Sequence, residues 1–377
     1  MIARALYTVV LYALLPFVAA RLWWRGRREP GYRRRIGERF GHYRFAAERA
    51  VVWVHAVSVG EARASTPLVH ALQEALPDHE LLLTCTTGRE TSAIRCRFGL
   101  TSADDLDSRG RAPLVLSRRL LARISGDEDL GMPELATEMD LAIVETISHS
   151  TPRLGSRDGW NVAFGRELNA SDDRGLFVPI VAASTGRPVI EGKQIDPFRV
   201  AVNRSQLEVR SSAATDLRVP RRARLAYRDV ASATNRLTLI AAIVPARAVT
   251  THTLFCLRTA LPLPAQRVLC ALLNSYVANY LIRLRVNTHV TVSLVSRLPV
   301  PIVAPGHPLF ARLDVCAEAL SVGTAAAEGM DEYAEIQALA ARLYRLNATQ
   351  FEHVLGTFPL VPSEIRERVL RRFIDLH

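Results

Sequence analysis

The segment PAQRVLCALLNSYVANYLIRLRV (Pro264–Val286) determines how most of this chain folds. Its apolar residues recur at helical spacing, which predicts one helix of five or six turns over residues 263–285. We expect its apolar side chains to form core rather than a cofactor site. These side chains belong to Leu269, Leu272, Leu273, Val277, Tyr280, Leu281 and Leu284. Asn274, which interrupts them, is expected to cap the helix or to hydrogen-bond locally.

Strand-like segments surround this helix in the sequence. LTLIAAIVP (Leu237–Pro245) and AVTTHTLFCLR (Ala248–Arg258) precede it and predict a pair of strands. Residues 150–220 are rich in Gly, Pro, Ser, Asp and Arg and contain short β-like pieces, which indicates a loop-rich module. Residues 308–346 and 363–375 predict C-terminal helices. This part of the chain is therefore predicted to be a mixed β-rich and helical module.

A different pattern occurs nearer the N-terminus. VVWVHAV (Val51–Val57) predicts a strand, SVGE (Ser58–Glu61) a turn and ARASTPLVHALQEAL (Ala62–Leu76) a helix. HELLLTCTT (His79–Thr87) predicts a second buried strand. A strand, helix and strand in this order begin a parallel, Rossmann-like sheet. The predicted fold class of the whole chain is α+β, with this partial α/β piece first.

The first residues combine an apolar segment with a basic one. Residues 5–20 are apolar for about 16 positions, short of the ~20 that span a bilayer. Residues 1–45 hold ten arginines and two glutamates. Arginines that follow an apolar segment favour a cytoplasmic body attached to the inner membrane by residues 5–24. The open alternative is a buried core helix, and a cleaved signal peptide fits less well.

Composition excludes several classes of protein. The chain has 377 residues, 49% of them hydrophobic, which excludes disorder throughout. The formal net charge is +11, but most of the excess lies in the N-terminal basic arm. The five cysteines form neither a CxxC pair nor a Cys/His cluster at metal-ligand spacing. We therefore expect free, buried thiols, a reducing compartment and no metal site.

Ser58, Gly60 and Glu61 lie where the first predicted strand meets its helix. Ligands in open α/β sheets bind at this position, beside the carboxyl end of a strand and the N-terminus of a helix. A carboxylate there can act as general base on a sugar hydroxyl. The alternative is that Glu61 only caps the helix or interacts with its dipole.

Three segments resemble the start of the 3-deoxy-D-manno-octulosonic acid (Kdo) transferases. They are RLWWRGRREPGYRRRIGERFG (Arg21–Gly41), HAVSVGEARA (His55–Ala64) and LLLTCTTGRETS (Leu81–Ser92). The resemblance covers about residues 1–95. It implies a GT-B glycosyltransferase whose N-terminal half binds the lipid A precursor and whose C-terminal half binds CMP-Kdo. It also implies Glu61 as the catalytic base, with Ser58 and Gly60 at the acceptor. Nothing after about residue 95 resembles the nucleotide-sugar half.

From about residue 100 the chain resembles another family, the C-terminal target-recognition region of type IIG and TaqI-like adenine-specific DNA methyltransferases. Five segments carry this resemblance: DLAIVETISHSTPRLGS (140–156), GWNVAFGRELNASDD (159–173), PVIEGKQIDPF (188–198), LAYRDVASATNRLTLIAAIVP (225–245) and LLNSYVANYLIRLRVNTHVTVSLVSRLPVP (272–301). The resemblance implies a duplex DNA partner. Catalytic domains of that family hold S-adenosylmethionine and an Asn-Pro-Pro-Tyr motif, and this sequence contains no Asn-Pro-Pro. No bound cofactor is therefore expected; a separate methyltransferase catalytic subunit would supply one.

Candidate DNA contacts are Lys193, Arg228, Asn287 and His289, because basic and amide side chains contact phosphates and base edges. Alternatives remain for two of them, since Arg228 can pair with Asp229 and His289 can be purely structural. Further phosphate contacts are expected from two arginine clusters: Arg218, Arg221, Arg222 and Arg224, and Arg283 with Arg285. The GRELN segment (165–169) is expected to be structural.

The predicted organisation has four segments. Residues 1–28 form a membrane-associated helix and basic arm, 29–97 a truncated GT-B piece, 98–305 a DNA target-recognition domain, and 306–377 a helical segment. The predicted function is sequence-specific DNA recognition within a restriction–modification system, without the catalytic domain. The alternative is Kdo transfer from CMP-Kdo to a lipid A precursor. Neither catalytic apparatus is complete, and two joined gene fragments would produce the same pattern.

Overall fold

The computed structural model describes residues 16–17, 49–56, 66–76, 78–85, 93–96, 114–125, 133–181, 185–210, 221–231, 234–286 and 289–376. The chain divides into two compact units, Met1–Thr91 and Ser92–His377. Several predictions concern residues outside the described ones: most of the apolar segment 5–24, the candidates Ser58, Gly60 and Glu61, and Asn287. Among the helices of the described ranges, none has the length and apolar character to cross a membrane.

The smaller unit contains a strand–helix–strand element. Strand β1 (Val51–Ala56) and strand β2 (Glu80–Cys85) pair in parallel, and helix α1 (Thr66–Ala75) connects them. The register places Trp53 beside Leu82. A parallel pair needs such a crossover because its strands run in the same direction. The predicted Rossmann-like piece is confirmed.

The larger unit begins with an antiparallel pair, β3 (Ala93–Cys96) and β4 (Leu114–Ser117), followed by helix α2 (Arg118–Ser125) and helix α3 (Glu138–Ser150). Thr137 and Asp140 form a reciprocal capping box at the start of α3. Such a box satisfies backbone N–H groups that have no partner within the helix. The predicted mixture of helix and strand in this region is confirmed.

Ten short strands follow among the described residues: β5 (Phe164–Gly165), β6 (Phe177–Pro179), β7 (Arg187–Ile190), β8 (Ile195–Asp196), β9 (Arg199–Val200), β10 (Leu207–Val209), β11 (Arg224–Arg228), β12 (Ala241–Val244), β13 (Val249–Thr250) and β14 (Leu254–Leu257). Eight of them form two four-stranded sheets. The first sheet has the strand order β13-β7-β10-β6 and the second the order β12-β11-β14-β5. Strands β8 and β9 form a separate hairpin.

The predicted pairing of the two apolar segments before the long helix is wrong. Strands β12 and β14, which these segments form, lie on opposite sides of β11 and pair with it antiparallel. Leu225, Ala226 and Tyr227 of β11 are fully buried. Strand β11 is therefore the centre of the sheet, which its position earlier in the sequence did not indicate.

The predicted single helix over 263–285 is also wrong, because it is two helices. Helix α4 (Leu263–Leu273) ends at Asn274, and helix α5 (Tyr276–Arg283) begins after Ser275. The Ser275 hydroxyl accepts a hydrogen bond from the Ala278 N–H at 3.1 Å, an N-cap that starts α5. Asn274 caps the end of α4, and its Nδ2 donates locally to Cys270 O at 3.0 Å, as predicted. The same side chain also reaches β12, where its Oδ1 accepts from Ala241 N at 3.0 Å and its Nδ2 donates to Ala241 O at 2.8 Å.

Buried carboxamides tie the helices to their neighbours. Asn279 Oδ1 accepts from the N–H groups of Thr238 and Leu239, each at 2.8 Å. Gln266 and Gln337 bind further backbone N–H groups at 2.7 Å in the same way. Each side chain satisfies a backbone group that would otherwise be buried without a partner.

Helices complete the larger unit. They are α6 (Val292–Ser296), α7 (Pro308–Val322), α8 (Asp331–Leu343), α9 (Ala348–Gly356) and α10 (Ser363–Asp375). The prediction of C-terminal helices is confirmed, and α9 is an additional one. Asn347 and Gln350 start α9 with a capping box.

Asp140 connects helices α3, α5 and α9 through its side chain. Its Oδ1 accepts from Tyr280 Oη and from His353 Nε2, both at 2.7 Å, and its Oδ2 accepts from the Thr137 N–H at 2.8 Å. Burial raises the pKa of the Asp140 carboxyl, but hydrogen bonds from Tyr280, His353 and Thr137 outweigh burial and hold it below its ordinary value. The carboxylate is thus stabilised in its charged form.

Burial raises the pKa of the three thiols that the structure describes in the larger unit. Cys256 and Cys270 are buried, and they are free, as is the half-buried Cys316. Burial raises the pKa of Cys256 to about 12 and that of Cys316 to about 11. Since the thiolate is the nucleophile, these residues act as packing side chains, as predicted.

Candidate nucleic-acid interface

An ion pair lies beneath the second sheet. Glu167, two residues beyond β5, pairs with Arg224 at the start of β11, with Oε2 and Nη2 2.5 Å apart and both side chains almost completely buried. The N–H and the hydroxyl of Thr250 donate to the same carboxylate at 3.0 and 2.9 Å. Arg224 Nη2 also donates to Ala248 O at 3.0 Å. Glu167 of the GRELN segment is therefore structural, as expected, whereas Arg166 of the same segment is half exposed. Arg224 is not available to a phosphate.

The second predicted arginine cluster is likewise used inside the fold. Arg283 donates to Thr238 Oγ1 and to Thr357 O, both at 3.1 Å, and its guanidinium lies 4.0 Å from the centre of the Phe358 ring. Burial lowers the pKa of Arg283 to about 10. Arg285 donates to a backbone carbonyl of α2, that of Ile124, at 2.9 Å. Arg283 is therefore half-buried, and most of its guanidinium bonds are made within the protein.

A cluster around Asp229 is the best-organised polar surface near the candidate residues. The Asp229 carboxylate is buried; it accepts from Arg166 Nη2 at 2.9 Å and from His289 Nδ1 at 3.2 Å. Both partners remain about half exposed, at 51% and 55% of the side chain. A buried carboxylate thus holds two exposed donor groups in fixed orientations. An isolated antiparallel β-bridge between Val230 and His289 joins the segment after β11 to the segment before α6.

The alternative for Arg228, an ion pair with Asp229, is not formed among the described residues. Arg228 contacts Ile195 O and Asp196 instead, with the Arg228 Nη2 and Asp196 Oδ1 atoms 3.5 Å apart. Burial lowers the pKa of Arg228. Arg228 and Asp229 therefore belong to two different polar groups, and only Asp229 contacts His289.

Three exposed or half-exposed arginines form what we call the arginine line, Arg222–Arg258–Arg166. Arg222 Nη2 donates to the backbone carbonyl of Arg258 at 3.0 Å, and Arg258 donates to the backbone carbonyl of Arg166. Arg166 then donates to Asp229 and stacks 4.9 Å from the centre of the Phe255 ring. The line follows β14 and β5, and β5 is the outer strand of its sheet. Each guanidinium carries five N–H groups, so donors remain for a ligand.

Lys193 lies beside this cluster. It is exposed and pairs with Glu191 at 2.7 Å, in a short turn over Gly192–Gln194. The turn is fixed by Thr253, whose Oγ1 accepts from Gly192 N at 2.9 Å. The backbone carbonyl of Thr253 accepts from Asp229 N at 3.0 Å. The structure thus brings Lys193 and His289 to one region through Thr253 and Asp229.

Sequence reasoning missed Arg166 and Arg258. Arg166 lies 63 residues before Asp229, and Arg258 lies 92 residues after Arg166. No motif or spacing connects residues so far apart. Each is an arginine directly after a short strand, β5 for Arg166 and β14 for Arg258, and such a position is too common to select them.

No metal centre accompanies this surface. Within the described ranges, no group of three or more His, Cys, Asp and Glu side chains could hold a metal ion.

Comparison with known proteins concerns chiefly the N-terminal part. Residues 34–109 match the family model described as 3-deoxy-D-manno-octulosonic-acid transferase (kdotransferase). The transferase of Haemophilus influenzae is 33% identical over 98 residues, which is 26% of this chain and 23% of the relative. The transferase of Bordetella pertussis is 44% identical over 93 residues, 22% of this chain and 20% of the relative. The probable mitochondrial transferase of Arabidopsis thaliana is 35% identical over 85 residues, 22% of this chain and 19% of the relative.

The predicted resemblance of the N-terminal part is confirmed over residues 34–109, beyond the boundary expected near 95. The chain spans only about a fifth of the length of these relatives. Among solved structures, the type IIL restriction–modification enzyme MmeI in complex with DNA is similar to part of the chain. That match has 12% identity and a TM-score of 0.37, and it covers 59% of this chain and 36% of the other.

Proposed function

We propose that the larger unit binds duplex DNA as the recognition module of a restriction–modification system, and that a separate methyltransferase subunit carries S-adenosylmethionine and the chemistry. The observation that supports this best is the arginine line, which ends on the cluster of Arg166, Asp229 and His289. Half to two-thirds of protein–DNA hydrogen bonds go to phosphates and sugars, and arginine is a principal donor. The five segments that resemble target-recognition regions support the same function.

The geometry suits phosphate contacts that set position. Arg166 and Arg258 each use part of their guanidinium to hold the protein's own backbone or Asp229, which fixes their orientation. Side chains that are fixed before binding lose less conformational entropy when a ligand arrives. Arginines held in this way at the ends of two neighbouring strands, β5 and β14, can contact a DNA backbone.

Base reading would fall to residues beside the line. Lys193 and His289 are exposed and lie on either side of the Thr253–Asp229 connection. Asn287 precedes His289 by two positions and is proposed as a further contact. Contacts of this kind supply sequence preference, whereas the arginine line supplies affinity.

We expect Arg258→Gln to weaken duplex binding about three- to tenfold at low salt and to reduce the salt slope by about one phosphate contact. The measurement is fluorescence anisotropy of a labelled duplex at several salt concentrations. The matched control is Arg371→Gln. Arg371 is an exposed arginine on α10, so this substitution removes the same charge elsewhere on the surface. Equal effects of both variants, or no duplex binding by the unmodified chain, would contradict the proposal.

A second function is proposed for the N-terminal part, because residues 34–109 match the Kdo transferase family. In this proposal the part belongs to the cytoplasmic side of the inner membrane, to which residues 5–24 attach it. Glu61 would act as general base, with Ser58 and Gly60 beside the lipid A precursor and CMP-Kdo as donor. The parallel pair β1 and β2, joined through α1, supports a ligand position after β1.

The purified chain alone is expected to show no Kdo transfer from CMP-Kdo to a lipid A precursor. A GT-B site closes between two domains, and a general base without donor contacts or leaving-group stabilisation supplies only part of the rate. The assay is transfer of radiolabelled Kdo into lipid, with a complete Kdo transferase as positive control. Turnover by this chain that Glu61→Gln abolishes would overturn the prediction.

A further inference from the structure

A cleft of about 580 Å³ lies in the larger unit, between the end of β11, the β8–β9 hairpin and the turn that precedes α8. Its walls combine aliphatic side chains, among them Val230, Leu237, Ile240 and Leu360, with charged and polar ones. Val230 is 62% exposed and Leu360 59% exposed, so both are open to a ligand. Clefts of this size enclose ligands up to the size of a nucleotide.

The charges in the cleft nearly balance. Glu328 pairs with Arg236, and Asp196 lies 3.5 Å from Arg228. Arg199 adds one positive charge, although its guanidinium donates to backbone carbonyls and contacts Met330 Sδ. A strongly anionic ligand gains little in such an environment, whereas a neutral group attached to a single negative charge fits it.

Two polar side chains keep hydrogen-bonding capacity. Only Nη2 of Arg228 has hydrogen-bond partners in the described part of the chain, and its Nε is buried with none. The Asn235 side-chain amide makes no hydrogen bond with the described residues, although its backbone carbonyl accepts from Arg283. Arginine and asparagine are the side chains whose donors and acceptors match the edges of guanine and adenine.

We propose that this cleft receives one unstacked nucleobase of a bound DNA strand. The aliphatic walls would cover the faces of the base, while Arg228 and Asn235 contact its edge. Val230 directly follows Asp229, which holds Arg166 and His289, so the cleft and the proposed DNA surface meet at one strand end. The inference rests on the proposed DNA binding and adds a base-binding site to it.

The test uses the full chain and a single fluorescent nucleotide, 2-aminopurine deoxyriboside 5′-monophosphate, so it needs no knowledge of the DNA target. Saturable binding is expected in an anisotropy titration, and Asn235→Leu and Ala326→Trp are expected to weaken it about tenfold. Ala326 lines the cleft, and a tryptophan there would occupy it. Both positions are exposed, so the variants should fold, which thermal unfolding will verify. Arg371→Gln is the control and should leave nucleotide binding unchanged.

Competition identifies the group that is bound. Unlabelled deoxynucleosides, which lack the phosphate, should displace the probe, whereas inorganic phosphate at the same concentration should not. Absence of saturable binding at about 10 mM, unchanged affinity in both cleft variants, or equal competition by phosphate would overturn the inference. The duplex titration with Arg258→Gln tests DNA binding separately. Duplex binding without nucleotide binding would therefore remove the cleft and leave the proposed function standing.

Discussion

Glu167→Ala is expected to lower the free energy of unfolding of the larger unit by about 3–5 kcal/mol. The change removes the only carboxylate that pairs with Arg224 in the described part of the chain, and both side chains are almost completely buried. Arg224 would then be a buried charge without its counter-ion. The Thr250 N–H and hydroxyl would lose their acceptor as well. Urea unfolding followed by circular dichroism measures the loss.

An exposed ion pair in the same unit supplies a matched control. Glu318 also pairs with a basic residue, Arg267, but the Glu318 side chain is 56% exposed. Exposed ion pairs contribute about 0–1 kcal/mol, so Glu318→Ala should have little effect. The double variant Glu167→Leu with Arg224→Met should recover much of the stability, because apolar side chains of similar volume replace buried ion pairs well. A loss below about 1 kcal/mol for Glu167→Ala would show that the pair is not held as described.

Asp140→Ala is expected to cost about 3 kcal/mol, because several donors lose one acceptor together. The buried Tyr280 hydroxyl and the His353 ring lose their partner, and the Thr137 N–H loses half of the capping box that starts α3. Helices α3, α5 and α9 would be held by apolar packing alone at this point. Glu352→Ala is the control, since Glu352 is an exposed carboxylate on α9.

The lowered pKa of Asp140 predicts how the free energy of unfolding depends on pH. The folded state holds the pKa of Asp140 below its ordinary value, so its contribution is complete above about pH 4 and is lost as pH falls through the folded-state pKa. Asp140→Ala removes that contribution at every pH. The difference in unfolding free energy between the two proteins should therefore narrow as the solution is acidified from pH 6. A difference that stays constant down to pH 2 would contradict this assignment.

How far the sequence predicted the candidate site depends on the residue. The sequence predicts Lys193 and His289 as DNA contacts from their side-chain chemistry, and hydrogen bonds through Thr253 and Asp229 connect their segments in the structure. Arg224 and Arg283 are predicted as phosphate contacts on the same grounds, but Arg224 is buried against Glu167, and Arg283 bonds to Thr238 and Thr357. Composition cannot separate these cases, because an arginine in the sequence has the same character whether it meets solvent or a buried carboxylate.

The order of elements was set by local patterns. The strand, helix and strand of residues 51–85 and the helices after residue 308 follow from periodicities of two and 3.6 residues, which depend on near neighbours alone. The break between α4 and α5 was not predicted, because the Asn274 side chain bonds to β12, which is distant from it in the sequence. Its cause is a contact that spans 33 residues.

The sequence by itself therefore determined the α+β class, the parallel strand–helix–strand piece near the N-terminus and its resemblance to the Kdo transferases. Only the tertiary structure decided that β11 is central, that Asp229 pairs with Arg166 and His289, and which arginines remain at the surface. The physical reason is the sequence separation of the interacting groups. Periodicity depends on residues a few positions apart, whereas ion pairs and buried hydrogen bonds join groups as far apart as Asp140 and His353, 213 residues from each other.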